Sequence, residues 1–285
     1  MPIPSSISSP SSLKYSLNYF SSGNGALSGQ ITQLIAAGLS GSAIEAIAES
    51  GHDFVGWSDG SKQNPRIDTN ISADISITAL FLPNCSSSIV CGDQCAYFGD
   101  AYGTVQIGAQ CWLDKNLSNK KYNDGTNIPY ITDDIEWTNY GAIGAYSCYD
   151  NDIKNCEIYG GLYKWYVIST GKICPVGWHV PTITEWNSLS TFLGGDAISG
   201  EKLKASSDNQ FPWDGNNSSG FTALPAGTRW DIGPFHELGS ATRFWSSTQR
   251  SASVAYGKIM KSGFPNLFGT NNTKPDGWPI RCLKD

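Results

Sequence analysis

The sequence predicts a small all-β module followed by a larger α+β domain, and three observations lead to this fold class. Only 15% of the residues are charged, while the chain contains 31 Gly, 13 Tyr and 10 Trp, a composition typical of loop-rich β structure. A strictly alternating apolar pattern occurs in the first third of the chain, and a helical pattern occurs in the second half. The 285 residues are sufficient for two domains.

The beginning of the chain divides by composition into a lead-in and a module. Residues 1–13 are rich in Ser and Pro, which predicts a disordered lead-in. Residues 14–82 contain no cysteine and form one block. Between Ile67 and Phe81, apolar and polar residues alternate, which predicts a strand with one buried face. Residues 31–49 are compatible with either a helix or strands.

Residues 83–100 contain three cysteines, which predicts a short junction cross-linked by disulfides before a domain at residues 101–285. Val105, Ile107 and Ala109 alternate with polar or small residues, which predicts a strand leading into Cys111 and Trp112. The segment 182–193 predicts a helix. Its Thr182 is followed three residues later by Glu185, the spacing of a capping box.

Part of the first block resembles a known bacterial repeat. The segments are Gly51–Gly60, Asn64–Arg66 and the alternating run ending Thr78–Phe81. They resemble the InlB B-repeat-like class of small β modules. The resemblance implies a spacer without chemistry, and Trp57 is expected in its core rather than as a platform for a sugar.

A second resemblance covers residues 91–285. It is carried by seven blocks: Ile107–Leu117, Tyr159–Trp165, Cys174–Pro181 with Glu185–Trp186, Gly220–Phe221, Leu224–Arg229, Phe244–Ser247 and Gly277–Cys282. In this order they resemble the family named after the major paralogous domain of Fibrobacter succinogenes. The resemblance implies a C-type-lectin-like fold, a small mixed α+β domain whose two ends lie close together.

The chain contains eight cysteines, and an even number predicts four disulfides in an oxidising compartment. Buried thiols and a zinc site including Cys91 and Cys95 are the alternatives. On the sequence alone, on the order of 100 pairings are open. The resemblance implies that Cys174 pairs with Cys282. Cys148 and Cys156 are expected to pair locally, and Cys111 is expected to pair with Cys91 or Cys95.

The same family resembles the variable proteins of diversity-generating retroelements, in which a C-terminal lectin-like domain displays mutable residues to a ligand. The resemblance implies a binding face at about residues 230–271, where Asn, Ser and aromatic residues suit adaptable contacts. The alternative is a set of ordinary loop residues. The expected contact residues are Trp230, Asp231, Phe235, Gln249, Arg250, Ser251, Ser253, Tyr256, Ser262, Phe264, Asn266, Phe268 and Asn271.

Composition also limits partners and location. A net charge of -6 argues against nucleic acid, which requires a basic surface. No apolar stretch reaches the roughly 20 residues of a membrane span. Residues 1–13 lack the features of a signal peptide, so we expect a trimmed leader or a leaderless route. The predicted location is extracellular, on a cell or virion surface, and the expected ligand is a cell-surface protein or glycan.

The sequence predicts no enzyme, metal or cofactor. Among the three histidines, His52 and His179 are expected to be structural and His236 is the one candidate for function. Acidic clusters at 133–136 and 150–157 are expected to be solvated loops. The Glu-Pro-Asn and Trp-Asn-Asp triplets of calcium-dependent lectins do not occur. The alternatives are a formylglycine-generating-type or glycan-active enzyme on the same fold, and a purely structural surface or virion protein.

Overall fold

The computed structural model describes residues 13–285, and the chain divides into two units that meet between Asn84 and Cys85. The predicted lead-in, apart from Leu13, lies outside the described residues. The predicted junction at 83–100 does not form a separate segment. From Cys85 onwards it belongs to the second unit, because its strand β7 (Gln94–Tyr97) pairs with β8 (Asp100–Ile107).

The first unit is an all-β module. Its strands are β1 (Lys14–Ser21), β2 (Gly25–Ser28), β3 (Thr32–Ala36), β4 (Glu45–Ala48), β5 (His52–Trp57) and β6 (Ile75–Pro83). Four of them form a sheet in the order β3-β1-β6-β5, in which only β1 and β6 are parallel, and β2 pairs with β4. Trp57 is buried in the core, as predicted, and its Nε1 donates to the carbonyl of Gln63.

Two predictions in this unit need correction. The helix interpretation of residues 31–49 is wrong, because the apolar side chains at helical spacing do not form a buried stripe: Leu34 is 64% exposed, whereas Gln33 is buried and hydrogen-bonds to Ser42. The strand predicted from Ile67 begins only at Ile75. Asn70 interrupts it with a left-handed φ of 52°.

The second unit is mostly β, with two sheets. Its remaining strands are β9 (Gln110–Leu113), β10 (Tyr146–Ser147), β11 (Leu162–Lys164), β12 (Trp178–His179), β13 (Ala226–Arg229), β14 (Phe235–Leu238), β15 (Ala241–Gln249), β16 (Val254–Lys261), β17 (Phe268–Thr273), β18 (Gly277–Trp278) and β19 (Leu283–Lys284). The smaller sheet has the order β12-β19-β9-β8-β7. The larger has the order β10-β11-β18-β13-β15-β16-β17, and β14 pairs with β13.

The strand predicted at 105–109 is part of a hairpin. Strand β8 ends at Ile107, and Gly108, with a positive φ of 62°, turns the chain into β9. Pairing of β9 with the C-terminal β19 places Leu283 opposite Trp112. The segment that carries most of the predicted contact residues also contains regular structure, because β16 and β17 lie within it.

The helices of this unit are short. They are α1 (Asp134–Asn139), α2 (Ile153–Tyr159), α3 (Ile183–Phe192) and α4 (Ser199–Leu203), with 3-10 turns at Tyr149–Asn151 and Trp165–Thr170. The predicted helix is confirmed as α3. Thr182 accepts a hydrogen bond from the amide of Glu185, and the Glu185 carboxylate accepts from the amide of Thr182, which completes the capping box.

Aromatic side chains fill the core of the second unit. Trp245 stacks on Trp278 with ring centroids 3.9 Å apart and planes at 18°. Trp112 packs against Trp186 at 4.9 Å in a second cluster that includes Phe221. Stacked and edge-on aromatic rings add to the stabilisation that comes from burying their area. Aromatic packing therefore stabilises this unit, whose helices are short.

Fully buried Arg281 joins distant segments of the second unit. Its guanidinium donates to the carbonyl oxygens of Leu113 and Phe221 and to the side chain of Asn116. The guanidinium carbon also lies 4.1 Å from the ring centroid of Phe221. Desolvation lowers the pKa of Arg281 to about 9. These contacts hold the end of β9 and the residues before β13 against the C-terminal segment.

All eight cysteines form disulfides: Cys85–Cys95, Cys91–Cys111, Cys148–Cys156 and Cys174–Cys282. Three of these pairs are the ones expected from the sequence, and the open choice for Cys111 is resolved in favour of Cys91. Cys174–Cys282 spans 108 residues, whereas Cys148–Cys156 spans 8. Four disulfides fit an extracellular or secreted protein.

We predict that these two disulfides differ in their effect on stability because of loop length. In the chain-entropy description, removing Cys174–Cys282 costs about 5 kcal/mol and removing Cys148–Cys156 about 2.5 kcal/mol. The double variants Cys174→Ser/Cys282→Ser and Cys148→Ser/Cys156→Ser are matched, because all four side chains are buried. Denaturant unfolding measures both. Equal losses of stability would contradict the prediction.

Candidate functional site

The structure distributes the predicted contact residues, apart from Tyr256, over three places. One is the turn end, formed by the β15–β16 turn (Gln249–Ser253) together with Asn271. The second is the pocket end, formed by residues 261–270 with Arg243 and Ile259 of the sheet. The third is the Trp230 hairpin, residues 230–236. The turn Gln249–Ser253 and the loop that starts at Lys261 lie at opposite ends of β16, roughly 24 Å apart. Asn271, however, directly follows Thr270 of the pocket end along β17.

The pocket end contains a cavity of about 310 Å³ on one face of the larger sheet. Ile259 pairs with Arg243 on one side and with Phe268 on the other, so the three side chains form one row across β15, β16 and β17. The residues lining the cavity are Arg243, Ile259, Lys261, Phe264, Phe268, Gly269 and Thr270. The volume lies at the lower limit of ligand pockets, which begin at roughly 300 Å³.

The loop that carries Phe264 is fixed from below by a buried lysine. The Nζ of Lys204 donates to the carbonyl oxygens of Lys261 and Phe264, at 3.2 and 3.1 Å, and to Asp214 Oδ1 at 2.6 Å. The second oxygen of Asp214 accepts from the amide of Gly263. Phe264 nevertheless remains 51% exposed and meets Phe268 edge-on. An exposed aromatic side chain is therefore held on a rigid loop.

Two predicted contact residues at this end are structural. Ser262 Oγ accepts from Trp213 Nε1 at 2.7 Å, which holds the loop against the core. Asn266 is half-buried, and its carbonyl lies against Gly200 so closely that a Cβ at residue 200 would approach it to 2.1 Å. Helix α4 can pack here only because residue 200 has no side chain. Phe264 and Phe268 thus remain as the contact candidates.

The Trp230 hairpin connects β13 to β14. The ring of Trp230 stacks on that of His236, with centroids 3.7 Å apart, and remains 43% exposed. The amide of Asp231 donates to Asp276 Oδ1 at 2.8 Å, and Thr273 Oγ1 donates to Asp231 Oδ2. These bonds attach the hairpin to the turn after β17. Phe235 is half-buried under the guanidinium of Arg229, 4.8 Å from it, and supports the hairpin.

At the turn end, two of the predicted side chains stabilise the turn. Gln249 Oε1 accepts from the Nζ of buried Lys274, and Ser251 Oγ accepts from the amides of Ser253 and Val254. Gln249 and Ser251 are exposed as well, and the other exposed polar side chains predicted there are Arg250, Ser253 and Asn271, of which Arg250 donates to Asn271 Oδ1.

Tyr256 is excluded from the pocket face by register. It alternates with Ile259 along β16 and lies on the same side of the sheet as Met260, which is buried in the core.

The sequence analysis missed the pocket residues Arg243, Ile259, Lys261 and Thr270. The alternation of side chains along the strands could have indicated which of these residues share a face of the sheet. Arg243 lies two residues before the buried Trp245 in β15, and Ile259 lies two residues before Lys261 in β16, so the members of each pair point to the same face.

Asp276 is a buried carboxyl behind the hairpin. Besides the Asp231 amide, it accepts hydrogen bonds from Thr273 Oγ1 and from the Asn272 side chain. Burial raises the pKa of Asp276 to about 7, neighbouring Asp231 adds to the rise, and Arg243 opposes it. The residue that fixes the hairpin therefore titrates near neutral pH.

The acidic clusters were expected to be solvated loops, but they lie around the starts of helices α1 and α2, and three of their carboxylates have structural roles. Asp133 and Asp152 cap helices α1 and α2, and Asp134 forms an ion pair with Arg229. His179 hydrogen-bonds through both ring nitrogens, to Asp285 and Glu185. Among residues 13–285, no group of three or more His, Cys, Asp or Glu side chains is arranged to hold a metal. No helix in this described range is long and apolar enough to cross a membrane.

Comparison with known families gives two matches. A family model described as the Fibrobacter succinogenes major domain matches residues 105–284, which is more than half of the chain. A model described as the divergent InlB B-repeat domain matches residues 15–85. No significant match was found among curated proteins or among solved structures. Both resemblances stated from the sequence are confirmed.

We predict that Asp276 makes stability depend on pH in the acid range. Its pKa is about 7 in the folded protein and 3.8 as a model value. The stabilising contribution is complete below pH about 4 and is lost as the pH rises through about 7, a loss on the order of 4 kcal/mol. Asp276→Asn keeps a neutral side chain at every pH, so the difference in free energy of unfolding between wild type and variant should follow this titration.

The exposed Asp208→Asn variant is the control, and urea unfolding between pH about 4 and about 8 is the measurement. A difference between wild type and Asp276→Asn that does not change across this range would contradict the titration of Asp276.

Proposed function

This chain belongs to the Fibrobacter succinogenes major domain family, and we propose that it is an extracellular ligand-binding protein. In this proposal the second unit has a C-type-lectin-like fold and binds a cell-surface protein or glycan. The contact surface consists of the pocket end and the Trp230 hairpin. The first unit, matched by the divergent InlB B-repeat model, acts as a spacer, and the protein is displayed on a cell or virion surface.

The observation that carries the proposal is the rigid support beneath an exposed aromatic residue. Phe264 is half-exposed, yet its loop is fixed by buried Lys204 and Trp213 and by Asp214, whose side chain is 37% exposed. Trp230 is likewise exposed while its ring is stacked on His236. Burying aromatic area supplies much of the energy of binding, and a preformed loop avoids the entropic cost of ordering it. Exposed, rigid aromatics are typical of binding surfaces.

Binding is favoured over the enzymatic alternatives by the state of the reactive groups. A formylglycine-generating type of oxidation requires a reduced cysteine, and all eight cysteines are in disulfides. A glycan-cleaving enzyme requires two facing carboxyl groups, whereas Asp133 and Asp152 cap helices and Asp134 pairs with Arg229. These roles commit three of the acidic side chains to the framework.

We predict that removing either exposed aromatic side chain weakens ligand binding. Phe264→Ala and Trp230→Ala should each reduce affinity at least about tenfold, as expected for aromatic residues central to an interface. Phe192→Ala is the control, because Phe192 is also an exposed aromatic residue but lies on α3. The measurement is binding of the labelled full chain to arrays of immobilised glycans and purified surface proteins. Binding that survives both substitutions would contradict the proposed face.

The structural alternative makes a different prediction for the same variants. A purely structural surface or virion protein would bury Phe264 or Trp230 against another copy of the chain. Light scattering would then show a constitutive oligomer that Phe264→Ala or Trp230→Ala dissociates. A monomer whose array binding depends on these residues supports the ligand-binding function instead.

We further propose that exposed positions at all three places are diversified, whereas positions whose side chains hold buried residues stay constant. Substitutions are expected at Trp230, Arg250, Ser253, Phe264 and Asn271, whose side chains are exposed. Ser262 and Gln249 should remain constant, because their side chains hold Trp213 and Lys274. Sequencing the gene across its source population, with attention to adenine-containing codons, tests this. An even spread of substitutions along the chain would rule out diversification.

A further inference from the structure

The cavity at the pocket end has a charge opposite to that of the protein. The chain has a net charge of -6, yet two of the described residues that line the cavity are cationic, Arg243 and Lys261, and none is acidic. Arg243 pairs with Ile259 and Lys261 pairs with Ala241 across β15 and β16, so the two cations project from the same face. The side chains that line the cavity are therefore cationic or neutral.

Arg243 already binds one carboxylate. Its Nη1 and Nη2 donate to the two oxygens of Glu237 on strand β14, in a two-pronged arrangement. The Glu237 side chain is 32% exposed, and its backbone has a left-handed φ of 67°, which is unfavourable for a residue with a side chain. The Glu237 carboxylate thus occupies the place on Arg243 that an anionic ligand would take, and the backbone of Glu237 is strained. A carboxylate from a partner can replace it while Arg243 keeps an ion pair.

The remaining lining determines what accompanies the anion. Ile259, Phe264 and Phe268 present apolar surface, and Thr270 supplies the one hydroxyl of the described lining. A sugar ring would lose hydrogen bonds from its hydroxyl groups in such a cavity, which is unfavourable. An apolar side chain would lose none and would bury area against two phenyl rings.

We propose that the pocket end binds a carboxylate that lies next to an apolar side chain, presented by an acidic segment of a protein partner. The carboxylate takes the place of Glu237 on Arg243, Lys261 adds a second positive charge, and the apolar group packs on Phe264 and Phe268. This inference rests on the proposed binding function and narrows its ligand from protein or glycan to protein.

The probes are N-acetylphenylalanine, which has a carboxylate beside a benzyl group, and its neutral amide. Amide resonances of Gly269 and Thr270 in the isotope-labelled full chain report their binding. The acid should bind at least about fivefold more tightly than the amide. The preference should shrink as sodium chloride is raised from about 50 to about 500 mM, because salt screens the exposed Lys261.

Three substitutions test the roles of the charged groups. Arg243→Gln should abolish the preference for the acid, and Lys261→Gln should weaken binding of the acid about threefold. Glu237→Gln should strengthen it, because the internal competitor is removed. The exposed residues Glu136 and Lys120 provide matched controls, since Glu136→Gln and Lys120→Gln should leave both affinities unchanged. Lys261 and Glu237 are at least partly exposed, so their variants remain informative if Arg243→Gln fails to fold.

The outcomes separate this inference from the function on which it rests. Equal binding of acid and amide, or no gain from Glu237→Gln, would overturn the anionic pocket. Glycan binding on the arrays that requires Phe264 would also overturn it, while leaving the ligand-binding function intact. The opposite result is also possible: the chain prefers the acid, but no array component binds it in a way that depends on Phe264 or Trp230. That result would refute the proposed ligand-binding function and leave the anionic pocket standing.

Discussion

The second unit depends on cations that are buried among aromatic rings. Arg281, Arg229, Lys164 and Lys204 are all almost completely excluded from solvent. Burying a charge is costly unless hydrogen bonds replace water, and here backbone carbonyl oxygens and ring faces supply most of the replacement. Arg229 and Lys164 lie over the ring of Trp137, at 4.5 and 4.6 Å. Desolvation lowers the pKa of Lys164 to about 8. Arg281, Arg229 and Lys204 each donate to carbonyl oxygens of loop residues, so these three cations fix segments that have no regular structure of their own.

This arrangement explains how a unit with short helices can hold a defined surface. The disulfides restrict the chain over long and short distances, and the cations determine the conformation of the loops between those links. The same device serves the framework and the candidate site. Arg281 holds the C-terminal segment to the core, and Lys204 holds the loop that displays Phe264. The proposed ligand surface is therefore an extension of the core packing.

Local patterns predicted local structure well. The capping box at Thr182 and Glu185 identified α3, because both partners lie within one helical turn. Sequence blocks identified both families, since rare residues in fixed order are informative over long distances. The pocket escaped prediction because its row of Arg243, Ile259 and Phe268 depends on the register of three strands. Ser262 and Gln249 were placed in the site because short polar residues in loops look the same whether they face solvent or hold a buried group.

The Lys204 anchor has a consequence for how this surface can change over generations. Lys204 and Asp214 hold the loop through hydrogen bonds to its main-chain atoms. Lys204 donates to the carbonyl oxygens of Lys261 and Phe264, and Asp214 accepts from the amide of Gly263. Every amino acid has a main-chain carbonyl oxygen, so the hydrogen bonds from Lys204 do not depend on which side chains are present at positions 261 and 264. Under the proposed diversification, new side chains at these two positions would leave the main-chain contacts of the loop intact, so one fold could carry successive specificities.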